Sequence, residues 1–108
     1  MISYEEFKKV ELRTASVRSA ERVENSEKLV KLTVDDGNTE ALRTIVAGIG
    51  KVYTLEELIG KEIIIVANLE PKKLMGLESQ GMLLAADTAE GPVLLGTAKP
   101  VQPGTTIK

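Results

Sequence analysis

Apolar and polar residues alternate along much of this chain, and two short stretches break the alternation with helix-start signals. Ser3-Tyr4-Glu5-Glu6 has the spacing of a capping box, in which a hydroxyl and a carboxylate three residues apart each satisfy the other's free backbone N–H. It predicts a short helix to about Lys9. From Val10 to Ala20 the period becomes two, with Leu12, Thr14 and Ser16 on one side and Ala15 and Val17 on the other. Residues 21–27 are polar and read as a loop. Lys28 to Asp35 alternates again: Val30, Leu32 and Val34 share a face opposite Leu29, Lys31 and Thr33. Asp36-Gly37-Asn38 is a turn, and Ala41 to Ile49 returns, so residues 28–49 are predicted to form a hairpin. Thr54-Leu55-Glu56-Glu57 is a second capping box, opening a short helix that ends at Gly60. Lys61 to Ala67 carries a continuous apolar run and reads as a buried strand. Residues 68–80 are expected to be a long connection and Gly81 to Ala86 another strand, and residues 88–108 read as turns and small strands.

Five main strands with a short helix between the third and fourth follow the order of an OB fold, a five-stranded Greek-key barrel, although other small β-rich folds fit the same pattern. The predicted class is thus all-β, with a short N-terminal helix and a C-terminal extension. At 108 residues the chain is expected to be a single domain, 1–108. No apolar run approaches the ~20 residues that span a bilayer, and charged residues near the start interrupt any cleavable leader, so no membrane association is expected. The absence of cysteine and histidine excludes disulfides, thiolate chemistry, His-based metal sites and imidazole catalysis, and fits a cytoplasmic protein. No nucleophile–base pair is legible, and no cofactor is expected. The net charge of −2 and the three aromatic residues Tyr4, Phe7 and Tyr53 do not by themselves suggest RNA, for which a basic footprint and a stacking platform are usual.

The stretch from Asn68-Leu69-Glu70-Pro71-Lys72-Lys73-Leu74 through Met75-Gly76-Leu77-Glu78-Ser79-Gln80-Gly81-Met82 changes that picture, because it closely resembles the signature of the tRNA-binding domain family. Val10-Glu11-Leu12-Arg13, Lys28-Leu29-Val30-Lys31-Leu32 and Ile45-Val46-Ala47-Gly48-Ile49 match in the same order, so the resemblance covers nearly the whole chain. The family includes the C-terminal domain of methionyl-tRNA synthetase, free-standing tRNA-binding proteins and a secretion-associated chaperone. The resemblance implies an OB fold, a homodimer, and binding of tRNA by shape more than by sequence. It implies a non-catalytic role beside the catalytic body of a methionyl-tRNA synthetase, or in a free-standing protein; a peptide-binding chaperone is the rival from another class. Glu70 and Lys73 stand where the family often carries more basic residues or arginine, and Glu70 beside the two lysines lowers the local positive potential.

OB folds bind oligonucleotides on the face of strands two and three and on the loops joining strands one to two and four to five. Residues 68–80 are the second of those loops, which makes Lys72 and Lys73 candidate phosphate contacts. Charge alone favours two solvated lysines, and the resemblance reverses that in favour of RNA. Lys31 and Arg43, on neighbouring strands, would form a small basic platform if the register allowed, or else ordinary ion pairs to residues such as Glu40 or Asp35. From the resemblance, Asn68, Met75 and Ser79 are carried over as RNA contacts together with Lys72. Structural roles are open to each: Asn68 and Ser79 could bond the loop backbone, and Met75 could fill the barrel mouth. Arg13 is expected to pair with an acid across the barrel. The short apolar pieces Val93-Leu94-Leu95 and Val101 are expected to serve a dimer contact.

Overall fold

The computed structural model describes residues 1–108. Its longest element, β1 (Leu12–Arg22), organises the barrel by pairing differently along its length. Its first half is antiparallel to β4 (Glu62–Val66), with Leu12 opposite Val66, and its second half is antiparallel to β2 (Val30–Asp35), with Arg22 opposite Val30. The register shifts between Val17 and Ser19, and this bulge bends the strand so that both neighbours can curl toward the same core. β2 returns as β3 (Arg43–Ala47), and the short strand β7 (Met82–Leu83) completes the order β3-β2-β1-β4-β7. This is the OB order expected from the sequence.

Both capping boxes form, on α1 (Tyr4–Lys8) and α2 (Leu55–Leu58). α2 closes one end of the barrel by burying Leu58 completely among Val17, Leu32, Ile45, Ile63 and Ile65. The alternation in β2 is as predicted, with Val30, Leu32 and Val34 fully buried. In β1 it is not: Thr14 and Ala15 are both buried. The reason is the tail. Residues 102–105 lie along β1, where Thr14 Oγ1 donates to Gln102 O (3.0 Å) and accepts from Thr105 N–H (3.0 Å). β10 (Thr106–Ile107) then pairs with Leu12 and Arg13.

Three other expectations are corrected. Residues 68–80 are not an irregular connection but carry a β-hairpin, β5 (Lys72–Leu74) and β6 (Leu77–Ser79). The strand expected over 81–86 divides after Leu83. Leu84 N–H still reaches Ile64 O (2.9 Å), but the chain then leaves the barrel as β8 (Ala85–Thr88), paired with β9 (Gly91–Leu94). Arg13 pairs with its near neighbour Glu11 and not across the barrel.

Barrel closure depends on side chains. β3 and β7 do not form a ladder. Instead Gln80 N–H donates to Thr44 O (2.8 Å), Gln80 Oε1 accepts from Thr44 N–H (2.8 Å), and Ser79 Oγ accepts from Val46 N–H (2.9 Å). A seryl and a glutaminyl oxygen thus supply acceptors that a neighbouring strand would otherwise offer to Thr44 and Val46 N–H. Gly81 lets the chain pass tightly here: at φ 132° it sits where a Cβ would lie 2.7 Å from Val66 O.

Candidate nucleic-acid interface

The β5–β6 hairpin is anchored by a second small core. Leu74 and Leu77, opposite each other at its tip, pack on Val23, Leu29 and Val46. Val23 and Leu29 bracket the loop between β1 and β2, and Val46 is on the outer face of β3. The two loops that border the binding face of an OB fold are therefore packed against one another and against that face.

The hairpin separates its two lysines. Successive side chains on a strand point to opposite faces. Lys72 stands opposite Ser79, on the face of Leu74 that looks toward the barrel; Lys73 stands opposite Glu78 on the outward face. Both lysines are exposed and neither forms an ion pair. At the tip, Met75 (φ 49°) and Gly76 (φ 81°) both occupy left-handed conformations, and the Met75 side chain is 57% exposed. Met75 does not fill the barrel mouth; it is held out at the end of the hairpin.

The expected Lys31–Arg43 platform is not formed. Lys31 pairs with Val46 and Arg43 with Val34, which displaces the two cations along the strands. Lys31 Nζ is 3.2 Å from Glu21 Oε1. Lys31 instead shares a row with Lys72, reached through Val46 and Ser79. Arg43 Nε donates to Asp36 Oδ2 (2.8 Å), neither Glu40 nor Asp35, and its Nη1 donates to Ala67 O and Gln80 O (2.8 and 2.7 Å).

Asn68 and Ser79 have their polar atoms engaged within the fold. Asn68 Oδ1 accepts from Glu11 N–H (2.8 Å) and Nδ2 donates to Lys9 O (2.6 Å), fastening the exit of α1 to the barrel. Ser79 is 3% exposed; besides accepting from Val46 its hydroxyl donates to Gly81 O (3.0 Å). Of the seven candidates, the structure presents Lys72, Lys73 and Met75 together on the hairpin, with Lys31 beside them on the sheet. It builds Arg43, Asn68 and Ser79 into the frame.

Lys28 joins this rim, in the loop before β2 with its stem over Gly48 and no ion pair. The sequence placed Lys28 at the start of a strand, next to a loop that carries Glu24 and Glu27, so its place on the rim was not legible. Farther along the sheet, the N–H of Gly37 and the Arg18 guanidinium hold the Asp35 carboxyl below the usual carboxylate range.

An OB barrel whose two binding loops are packed together, one of them carrying free lysines, suits a nucleic-acid binder, and the family comparison decides which kind. Residues 12–106 match the family model described as "Putative tRNA binding domain". The chain belongs to the tRNA-binding domain family. Other members of this family occur within larger proteins. The methionine–tRNA ligase of Caldanaerobacter subterraneus subsp. tengcongensis is 54% identical over 98% of this chain and 16% of that protein. That of Thermotoga maritima is 50% identical over 98% of the chain and again 16% of the protein. The chain thus spans about a sixth of the length of the curated relatives it matches. Solved members also exist at this domain's own size. A MetRS-related protein from Pyrococcus horikoshii superposes with a TM-score of 0.91 at 41% identity, covering 100% of this chain and 98% of that one. The CsaA chaperone protein from Picrophilus torridus superposes with a TM-score of 0.91 at 30% identity, covering all of both chains.

Proposed function

We propose that this domain binds tRNA by shape on the rim formed by the β5–β6 hairpin and the β1–β2 loop. The observation that carries the reading is the hairpin itself: a rigidly packed element that projects two unpaired lysines and an exposed methionine from the binding side of an OB barrel. Lys72, Lys73 and Lys28 would contact phosphates, with Lys31 at the margin, and Met75 would pack on an exposed nucleotide. Arg43, Asn68 and Ser79 serve this reading through the frame. In a methionyl-tRNA synthetase the domain would add tRNA affinity to a catalytic body and dimerise it, in the cytoplasm. The exposed Val93, Leu95 and Val101 of the C-terminal extension support a homodimer contact. The full-length match to a CsaA chaperone favours one second reading, a free-standing protein that takes peptide.

Titration with total tRNA and with an unstructured single strand tests the proposal. About three to four phosphate contacts per subunit give a log–log salt slope of about −2 to −4. Different tRNAs should compete within about tenfold, and Lys72→Ala/Lys73→Ala should weaken binding about tenfold or more. Lys8→Ala/Lys9→Ala carries the same charge change on α1 and should have little effect. Equal loss in both double variants would reduce the hairpin to a matter of net charge. Tight binding of an apolar peptide with none of tRNA would favour the second reading. Sedimentation at micromolar concentration should show twice the chain mass, and a monomer there ends the dimer proposal.

A further inference from the structure

The 68–80 excursion has two feet, Ala67 where it leaves β4 and Gln80 where it rejoins the barrel, and one guanidinium holds both. Arg43 Nη1 donates to Ala67 O (2.8 Å) and to Gln80 O (2.7 Å), while Nε donates to Asp36 Oδ2 (2.8 Å) in the turn after β2. Asp36 is 7% exposed, and its other oxygen accepts from Asn38 N–H (3.1 Å), so the carboxylate is itself fixed. The Arg43 side chain is 23% exposed. The turn after β2 and both feet of the excursion therefore meet on one planar, permanently charged group, whose fork can bond two carbonyls and a carboxylate together; a lysine, with one nitrogen at the end of a flexible stem, cannot reproduce that geometry.

We infer that Arg43 is a positioning residue for nucleic-acid binding: it staples the feet of the hairpin so that Lys72, Lys73 and Met75 are presented in one orientation. The inference rests on the function proposed above. It concerns a residue that charge alone would assign to the RNA. Arg43 acts through the backbone of Ala67 and Gln80, and its charge is matched by Asp36. A loosened hairpin can still reach the same phosphates, but only the fraction of molecules in the right arrangement binds at once, and affinity falls by that fraction. The number of phosphates neutralised, which sets the salt slope, does not change.

The experiment compares wild type with Arg43→Lys and Arg43→Gln, reading tRNA affinity, salt slope and amide hydrogen exchange. Both variants lose the fork that holds Ala67 O and Gln80 O. Both are expected to bind tRNA about three- to tenfold more weakly, with the wild-type salt slope, and to exchange the amides of Lys72–Ser79 faster while β1, β2 and β4 stay protected. Wild-type affinity in either variant overturns the inference, so if one does not fold the other still decides. A slope about one contact shallower in Arg43→Gln than in Arg43→Lys would make Arg43 a phosphate ligand and overturn it too. The exchange arm uses no RNA: if wild type binds no tRNA, the proposed function fails, while the stapling of the hairpin is still read separately from its amides.

Discussion

Met75 offers a substitution whose effects on stability and on binding should have opposite signs. The turn Leu74-Met75-Gly76-Leu77 has positive φ at both central residues, 49° at Met75 and 81° at Gly76. That is the conformation of a type I′ hairpin turn, for which Asn-Gly is the favoured pair. An L-residue with an ordinary side chain costs about 1–2 kcal/mol in the left-handed region, and asparagine much less. Met75 is 57% exposed, so its removal sacrifices little packing within the fold. Met75→Asn should therefore stabilise the domain by about 0.5–1 kcal/mol, raising the melting temperature by about 2–8 °C at about 4–8 °C per kcal/mol for a domain of this size. The exposed part of a methionine side chain, if a nucleotide covers it, contributes about 1 kcal/mol, or about fivefold in affinity. The same variant should thus bind tRNA about fivefold more weakly with an unchanged salt slope. Met75→Leu is the companion: it keeps the apolar surface and the positive φ, so it should bind nearly as wild type and gain no stability. Thermal unfolding and tRNA titration on the three proteins are sufficient. A lower melting temperature in Met75→Asn refutes the strain argument, and wild-type affinity there refutes the contact.

Three further outcomes follow from the frame. Ser79→Ala leaves the buried Val46 N–H without an acceptor, so it should destabilise by about 1–3 kcal/mol; denaturant melts check this, and a loss under a few tenths would mean that the seam does not depend on the hydroxyl. Lys72 has no acid opposite it, whereas Lys73 faces Glu78, so Lys72→Ala should cost more tRNA affinity than Lys73→Ala; the reverse order in paired titrations would contradict the face assignment. The Asp35 carboxyl is held below its ordinary value of 3.8, first by the Gly37 N–H and then by Arg18. Its folded value being the lower one, its contribution is present above the unfolded value and lost as pH falls through the folded one. Asp35→Asn should therefore flatten the fall in stability below about pH 4 relative to wild type; parallel stability–pH curves would exclude Asp35 as the source.

What could be read from the sequence alone was what neighbouring residues decide among themselves. The two capping boxes need only a hydroxyl and a carboxylate three residues apart, and both formed. The period-two pattern of Val30, Leu32 and Val34 needs only a wet side and a dry side, and it oriented β2 correctly. The hairpin at 72–79 was hidden because its turn is Met-Gly, with methionine where a hairpin signal would have asparagine, so an ordered element read as a connection. For Asn68, Ser79 and Arg43 the sequence left a structural role and an RNA contact both open. Each is polar and could as well meet RNA as backbone, and their partners lie far along the chain: Asn68 bonds Lys9 and Glu11, 59 and 57 residues away. Ser79 bonds Val46, 33 residues away, and Arg43 bonds Ala67 and Gln80 at 24 and 37. A side chain's hydrogen-bonding capacity is a local property, but whether it is spent inside the fold depends on which carbonyls the barrel brings beside it. Thr14 shows the same limit for burial, since its wet side becomes dry only when residues 102–105 lie down along β1. The alternation of apolar residues determined a small β-rich fold and which way β2 faces. Closure of the barrel decided which polar residues were consumed in holding it shut and which, on the hairpin, were left exposed.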